Sequence, residues 1–185
     1  MRIVSGAFKG RALTALGKGD PGAHLRPTTD RTRESLFNIL QGGRFGDPIT
    51  DARVLDLFAG TGALGLEALS RGAQHVSFVD DGQKATSLIK QNIKICDARA
   101  QTKLIRRDAR KLPANADAPY DLIFLDPPYG KSLGEIALQV ALDGGWIAAD
   151  ALVVWEESAP IVAPVALTQL DARRFGDTTI TLLQV

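Results

Sequence analysis

A doubly wound α/β fold with a mostly parallel sheet is predicted by three features of this sequence. From Arg53 onward, short runs of Val, Ile, Leu and Phe alternate with helical segments, the pattern of strands buried on both faces. The first run opens into the glycine loop AGTGALG, residues 59–65, which leads directly into a helical pattern. Finally, Asp56, Asp80, Asp108 and Asp126 stand at the ends of four successive runs. In such sheets ligands lie outside the carboxyl ends of the strands, so these acids are the first candidates for chemistry.

The elements follow in order. RIVSGAFKGRAL holds short β-prone runs parted by Gly6 and Gly10, which predicts a small N-terminal hairpin. The stretch from Gly17 to Pro27 reads as a Gly/Pro-rich loop. Thr28, Thr29 and Asp30 are N-cap types before Leu36, Phe37, Ile39 and Leu40, predicting a helix that stops around Gly42 and Gly43. RVLDLF is then the first sheet strand and Ala63 to Arg71 the first sheet helix. HVSFVD, an amphipathic helix from Lys84 to Ile95, TKLIRRD and LIFLD come next. A helix from Leu133 to Leu142 and the strand ALVVWEE complete the alternation. The runs Leu167 to Phe175 and Thr178 to Val185, joined at Gly176 and Asp177, predict a closing antiparallel hairpin. Residues 1–27 thus read as an N-terminal extension and residues 28–185 as the main domain.

A length of 185 residues suits one domain. The single cysteine, Cys96, excludes an intrachain disulfide and any Cys-rich zinc site, which fits a reducing cytoplasm. His24 and His75 are isolated, so no metal site is expected. Met1 leads into polar, glycine-bearing sequence, and no apolar run approaches the ~20 residues of a membrane span. A soluble, cytoplasmic protein is expected. Net charge is +1, yet residues 1–35 carry seven Lys/Arg against three acids, a local surplus of +4. Within that arm Lys9, Arg11, Arg26, Arg31 and Arg33 are candidate contacts for nucleic-acid phosphates, a solvated basic surface being the alternative. Lys103, Arg106, Arg107, Arg110 and Lys111 form a second basic cluster.

Gly60, Gly62 and Gly65 spell G-x-G-x-x-G, and Asp80 follows Gly60 by 20 residues, placed to take the hydroxyls of a ribose. These features alone fit a nicotinamide-dependent oxidoreductase. Three details point elsewhere. Asp56, immediately before the loop, would repel a pyrophosphate and suits a cationic amino group. Asp108 is placed to accept from an amine such as adenine's. The fourth strand ends in LIFLDPPYG, Leu122 to Gly130. A ligand with a ribose, an adenine and an ammonium, but no phosphate, is S-adenosylmethionine. The prolines fix φ near −65° and lack N–H groups, so Asp126 and the carbonyl of Pro127 can converge as acceptors on one –NH₂. Tyr129 offers a flat face for an extruded base. Stacking uses the ring face, so loss of its hydroxyl is expected to be mild. A bland reading remains, since prolines commonly stop strands.

RIVSGAFKGRAL, LRPTTDRTRESLFNIL, VLDLFAGTGALGLEALSRGA, FVD, RRDA, LIFLDPPYG and VVWEES occur in this order along nearly the whole chain. In these motifs the sequence resembles the class I S-adenosylmethionine-dependent methyltransferases, and within them the RsmD-type family. The resemblance implies a Rossmann-like methyltransferase sheet and methylation of the exocyclic N2 of a guanine in small-subunit (16S) ribosomal RNA. The RNA would be met within a ribosomal subunit or assembly intermediate, by a monomer. It implies cofactor contacts at Asp56, Phe58, Gly60, Gly62, Asp80, Asp81, Asp108 and Ala109, and at Thr28 and Thr29 toward the methionine end. Asp126, Pro127, Pro128 and Tyr129 would be the catalytic corner. Where the family carries a glutamate, this chain has Asp80-Asp81, so either acid could hold the ribose. DPPY is shared with amino-methylating DNA enzymes. A DNA adenine-N6 methyltransferase, or a non-catalytic RNA-binding assembly factor, is the alternative.

Overall fold

The computed structural model describes residues 1–15 and 29–185. The expected loop up to Pro27, Arg26, Thr28 and the 27/28 boundary lie outside the described residues. Helix α1 (Asp30–Leu40) begins at Thr29, whose hydroxyl accepts from Thr32 N at 3.1 Å as an N-cap should. The sheet strands and helices then alternate: β1 (Arg53–Leu57), α2 (Ala63–Ser70), β2 (His75–Val79), α3 (Gln83–Cys96), β3 (Thr102–Ile105), β4 (Tyr120–Leu125), α4 (Leu133–Asp143) and β5 (Ile147–Glu157). The hairpin β6 (Thr168–Phe175) and β7 (Thr178–Gln184) closes the chain. Expected and observed boundaries differ mainly at β3, which ends at Ile105 rather than continuing through Asp108, and at β5, which starts four residues earlier than expected.

The seven strands lie in the order β3-β2-β1-β4-β5-β7-β6. Neighbours from β3 to β5 are parallel, and β7 runs antiparallel to both β5 and β6. The chain winds outward from β1 through β2 to β3, then returns to the other side of β1 as β4. The crevice where this order reverses, between β1 and β4, is where such sheets bind ligands. Asp56 on β1 and Asp126 just past β4 flank it, and Asp126 N donates to Leu57 O at 3.4 Å.

Period-two alternation divides each central strand between two cores. Val54, Leu122, Phe124 and Val154 face one cluster with Phe37, Leu66 and Phe78. Leu55, Leu57, Ile123, Leu125, Val153 and Trp155 face the other, against Ala137 and Leu138 of α4. Both tryptophans, Trp146 and Trp155, are core residues.

The described part of the N-terminal segment, residues 1–15, folds back on itself as a hairpin does. It forms one antiparallel bridge, Arg2 to Ala12, rather than two strands. Ile3 and Leu13 are buried in the same cluster as Phe37 and Leu66, so the segment is part of the domain's core. Its docking is specific. Gly6 (φ +83°) lies so close to α2 that a Cβ there would stand 1.8 Å from the Ser70 carbonyl oxygen, which lets Ala7 N reach that oxygen at 2.7 Å and Phe8 N the Ser70 hydroxyl at 2.9 Å. The fully buried carboxylate of Glu67 accepts from Val4 N at 2.8 Å and Ser5 N at 3.0 Å. It also pairs with Arg71 at 2.8 Å and, at 3.5 Å, with Arg33.

This corrects the RNA-contact expectation for Arg33. Its side chain is 0% exposed and is bonded to Asp30 and to the Arg2 carbonyl. A guanidinium enclosed by carboxylates and backbone is structural. Lys9 and Arg31 are exposed, and Arg11 is half-buried, stacked over Phe8 with its guanidinium donating to Ile95 O at 2.9 Å.

Candidate active site

The glycine loop takes its shape from groups that point into it. The Asp56 carboxylate is buried inside β1 and accepts from Gly65 N at 3.0 Å, tying the first turn of α2 to the strand. Burial pushes this carboxyl up to about 8, so it is largely protonated at neutral pH. Gly65 is required by close approach: a Cβ would lie 2.5 Å from the Phe78 ring and 2.6 Å from Val76. Phe58, just before the loop, holds a left-handed φ of +59°, a strained conformation of the kind that collects at ligand sites. Gly62, at a left-handed φ of +74°, caps α2 without a side-chain bond, and of the first-turn N–H groups Gly65 N is taken by Asp56.

Of the paired acids, Asp80 faces the loop. Its oxygens accept from Gly60 N at 2.9 Å and Gly82 N at 2.8 Å, and burial raises its carboxyl. Asp81 is exposed. Asn92 of α3 braces the glycine loop, a role that the sequence did not reveal. Buried, it donates to Thr61 O at 2.9 Å and exchanges bonds with the Thr14 backbone at 2.7 and 3.0 Å. The N-terminal segment is thereby tied to the glycine loop.

Asp108 differs from expectation. Both its oxygens are held by Arg110, through Nε at 2.9 Å and Nη2 at 2.6 Å, with Arg110 N at 2.9 Å as well. That pairing keeps its carboxyl below the usual range. It caps the 3-10 turn Ala109–Lys111 instead of standing open to an amine. Ala109 is buried beside it.

At the end of β4, burial first and then the charges of Glu156, Asp56 and Glu157 hold the Asp126 carboxyl well above the ordinary range. Pro127 is buried, and Pro128 and Tyr129 are half-buried. The Tyr129 hydroxyl donates to Glu156 Oε1 at 2.9 Å and meets Thr178 Oγ1 at 3.0 Å. The strand β5 and the turn of the closing hairpin therefore set the angle of the ring. These bonds give the hydroxyl a part in orienting the ring that stacking alone does not require. Tyr129→Phe is expected to slow methyl transfer about 3- to 10-fold, the value of one such bond, in single-turnover assays; an unchanged rate would return the ring's orientation to packing alone.

Tyr129 and Glu156 line a cleft of about 630 Å³ whose other walls are Thr29, Arg31, Thr32 and Ser35 of the α1 start and Phe175 to Thr178 of the hairpin. A second cleft, about 710 Å³, opens at the opposite end of the sheet around Asp51, Asp121 and Asp150, away from every expected site residue. Among the described residues no group of three or more His, Cys, Asp or Glu could hold a metal ion, and no helix is long and apolar enough to cross a membrane.

A glycine loop at the switch point, an acid gripping it and a D-P-P-Y corner opening on a cleft together define a Rossmann-like methyltransferase of class I. A family model described as "Conserved hypothetical protein 95" matches residues 1–184. Escherichia coli ribosomal RNA small subunit methyltransferase D is 37% identical over 156 residues, which cover 84% of this chain and 74% of that one. The Haemophilus influenzae protein of the same name is 33% identical over 190 aligned positions, covering 100% and 93%. A solved Escherichia coli structure described as a methyltransferase superposes with a TM-score of 0.83 at 33% identity, covering 100% of this chain and 97% of its own. The chain belongs to the RsmD family.

Proposed function

We propose that the protein transfers a methyl group from S-adenosylmethionine to the exocyclic N2 of a guanine in small-subunit ribosomal RNA, acting as a cytoplasmic monomer on a ribosomal subunit or assembly intermediate. The observation that carries this reading is the Asp126 corner, a half-buried carboxyl among other acids beside a cleft that would take an extruded base. The names of the two relatives support ribosomal RNA as substrate.

The site fits the cofactor. Glu156 and Glu157 at the end of β5, beside Asp126, make the crevice suited to a sulfonium and an ammonium rather than a pyrophosphate, whereas Asp56, protonated and bonded to Gly65 N, is not the ammonium partner the sequence suggested. Asp80 would hold the ribose, Phe58, Gly60 and Gly62 would border the ligand, and Thr29 would approach its methionine end. When bound, the cofactor supplies an electrophilic methyl on a sulfonium that departs as a neutral thioether. Asp126 and the Pro127 carbonyl hold the amine with its lone pair toward that methyl, and Tyr129 fixes the plane of the base. The proton lost from nitrogen passes to the Asp126 carboxylate. Positioning of this kind supplies much of the barrier reduction in an in-line displacement.

Calorimetry is expected to give binding of S-adenosylhomocysteine and none of NAD; the reverse result sinks the reading. Asp80→Ala should weaken S-adenosylhomocysteine at least ~10-fold and Asp81→Ala less than ~3-fold, given the usual worth of a charged hydrogen bond. Equal losses would move the ribose contact off Asp80. Mass spectrometry of ribosomal RNA from a strain lacking the gene should show one N2-methylguanine missing from the small-subunit RNA, and an unchanged methylation pattern would refute the substrate.

RNA is met through exposed cations. Lys9→Ala with Arg31→Ala is expected to raise KM for the RNA substrate and flatten its salt dependence, by about one unit of log–log slope per phosphate contact, leaving cofactor affinity intact. An unaltered KM and slope would leave the basic arm as a solvated surface.

A further inference from the structure

We propose that Glu156 selects guanine by accepting a hydrogen bond from the ring N1–H that adjoins the amine being methylated, an inference that rests on the guanine reading above. The three amine-bearing bases differ at this neighbouring ring atom. Beside N6 of adenine, and beside N4 of cytosine, the ring nitrogen is an unprotonated acceptor. Beside N2 of guanine lies N1–H, a donor. A second acceptor next to the amine-holding corner therefore favours guanine and sets two lone pairs against each other with the rival bases.

Glu156 is placed to be that acceptor. It lies at the carboxyl end of β5, the strand paired with β4, and its side chain lines the substrate cleft although it is only 5% exposed. Tyr129, the proposed stacking surface, donates to its Oε1 at 2.9 Å. After burial, its charge is the largest influence on Asp126. The carboxylate thus adjoins both groups that would face the base. A carboxylate has about four acceptor sites, so the bond from Tyr129 and one from N1–H are compatible. Desolvation makes a mismatched partner costly there, which is how buried polar groups discriminate.

The test replaces the target guanine, once mapped by mass spectrometry, with 2-aminopurine, which keeps the 2-amino group but has no hydrogen on N1. The wild-type enzyme is expected to favour guanine over 2-aminopurine by at least about 10-fold in kcat/KM. Glu156→Gln, whose amide can donate as well as accept, should narrow that preference to within about 3-fold. 2-Aminopurine also lacks O6, but that loss is common to both enzymes, so the change in ratio reports on Glu156. A ratio that is the same in wild type and variant overturns the proposal. So does a wild-type enzyme that accepts both bases equally, a result that needs no variant to fold. Should Glu156→Gln not bind cofactor normally, Glu156→Ala is the second variant, with the same narrowing expected. Wild-type enzyme that methylates no guanine at all overturns the guanine reading itself, and this inference with it.

Discussion

Asp126→Ala is expected to slow methyl transfer about 100- to 1,000-fold, the effect of losing ~3–4 kcal/mol of transition-state stabilisation. Cofactor affinity should change little, because the carboxylate acts on the amine as nitrogen attacks and not on the bound cofactor. The structure adds a pH signature. With its acid strength weakened by burial and by Glu156, Asp56 and Glu157, Asp126 must lose a proton before it can take one from the substrate. The acid limb of the rate profile should therefore lie above the usual carboxylate range, with the rate rising as pH rises through it. Single-turnover assays with labelled cofactor and small ribosomal subunits measure both effects. Near-normal turnover in Asp126→Ala would reduce the corner to a proline-stiffened strand end.

Glu67→Ala should destabilise the fold by about 3–5 kcal/mol, the usual cost of stranding a buried ionic partner. The substitution leaves Arg33 without one of its counter-charges and strips Val4 N, Ser5 N and Arg71 of their acceptor. It would also loosen the segment that Asn92 couples to the glycine loop, so S-adenosylhomocysteine affinity should fall with stability. Urea unfolding measures the first effect and calorimetry the second. A loss below ~1 kcal/mol would mean that packing of Ile3 and Leu13, and not the carboxylate, holds the segment.

The sequence by itself determined the sheet, its helices and most of the site's addresses. Short apolar runs alternating with amphipathic helical segments specify strands covered on both faces, and a residue that follows such a strand emerges at the carboxyl edge, so Asp80 after β2 and Asp126 after β4 reach that edge by strand geometry alone, while Asp56 stays inside β1. The stiff D-P-P-Y corner was legible because proline stiffness is a local property. Glu156, one residue before the end of β5, went unmarked, because an acid in VVWEES carries nothing that distinguishes it from a solvated one.

Only the tertiary structure decided which charges meet which partners. Arg33 and Arg31 are two positions apart on one helix, yet a 3.6-residue turn sends one into the carboxylates of Asp30 and Glu67 and the other to solvent. Asp108 is claimed by Arg110 two residues on, a pairing that spacing permits and side-chain direction selects. Glu67, Asn92 and Thr178 gain their roles from segments 63, 78 and 49 positions away in the chain. Such contacts depend on how helices pack onto the sheet, and a period of 3.6 or 2 records which face a residue lies on but not which distant group will be waiting there.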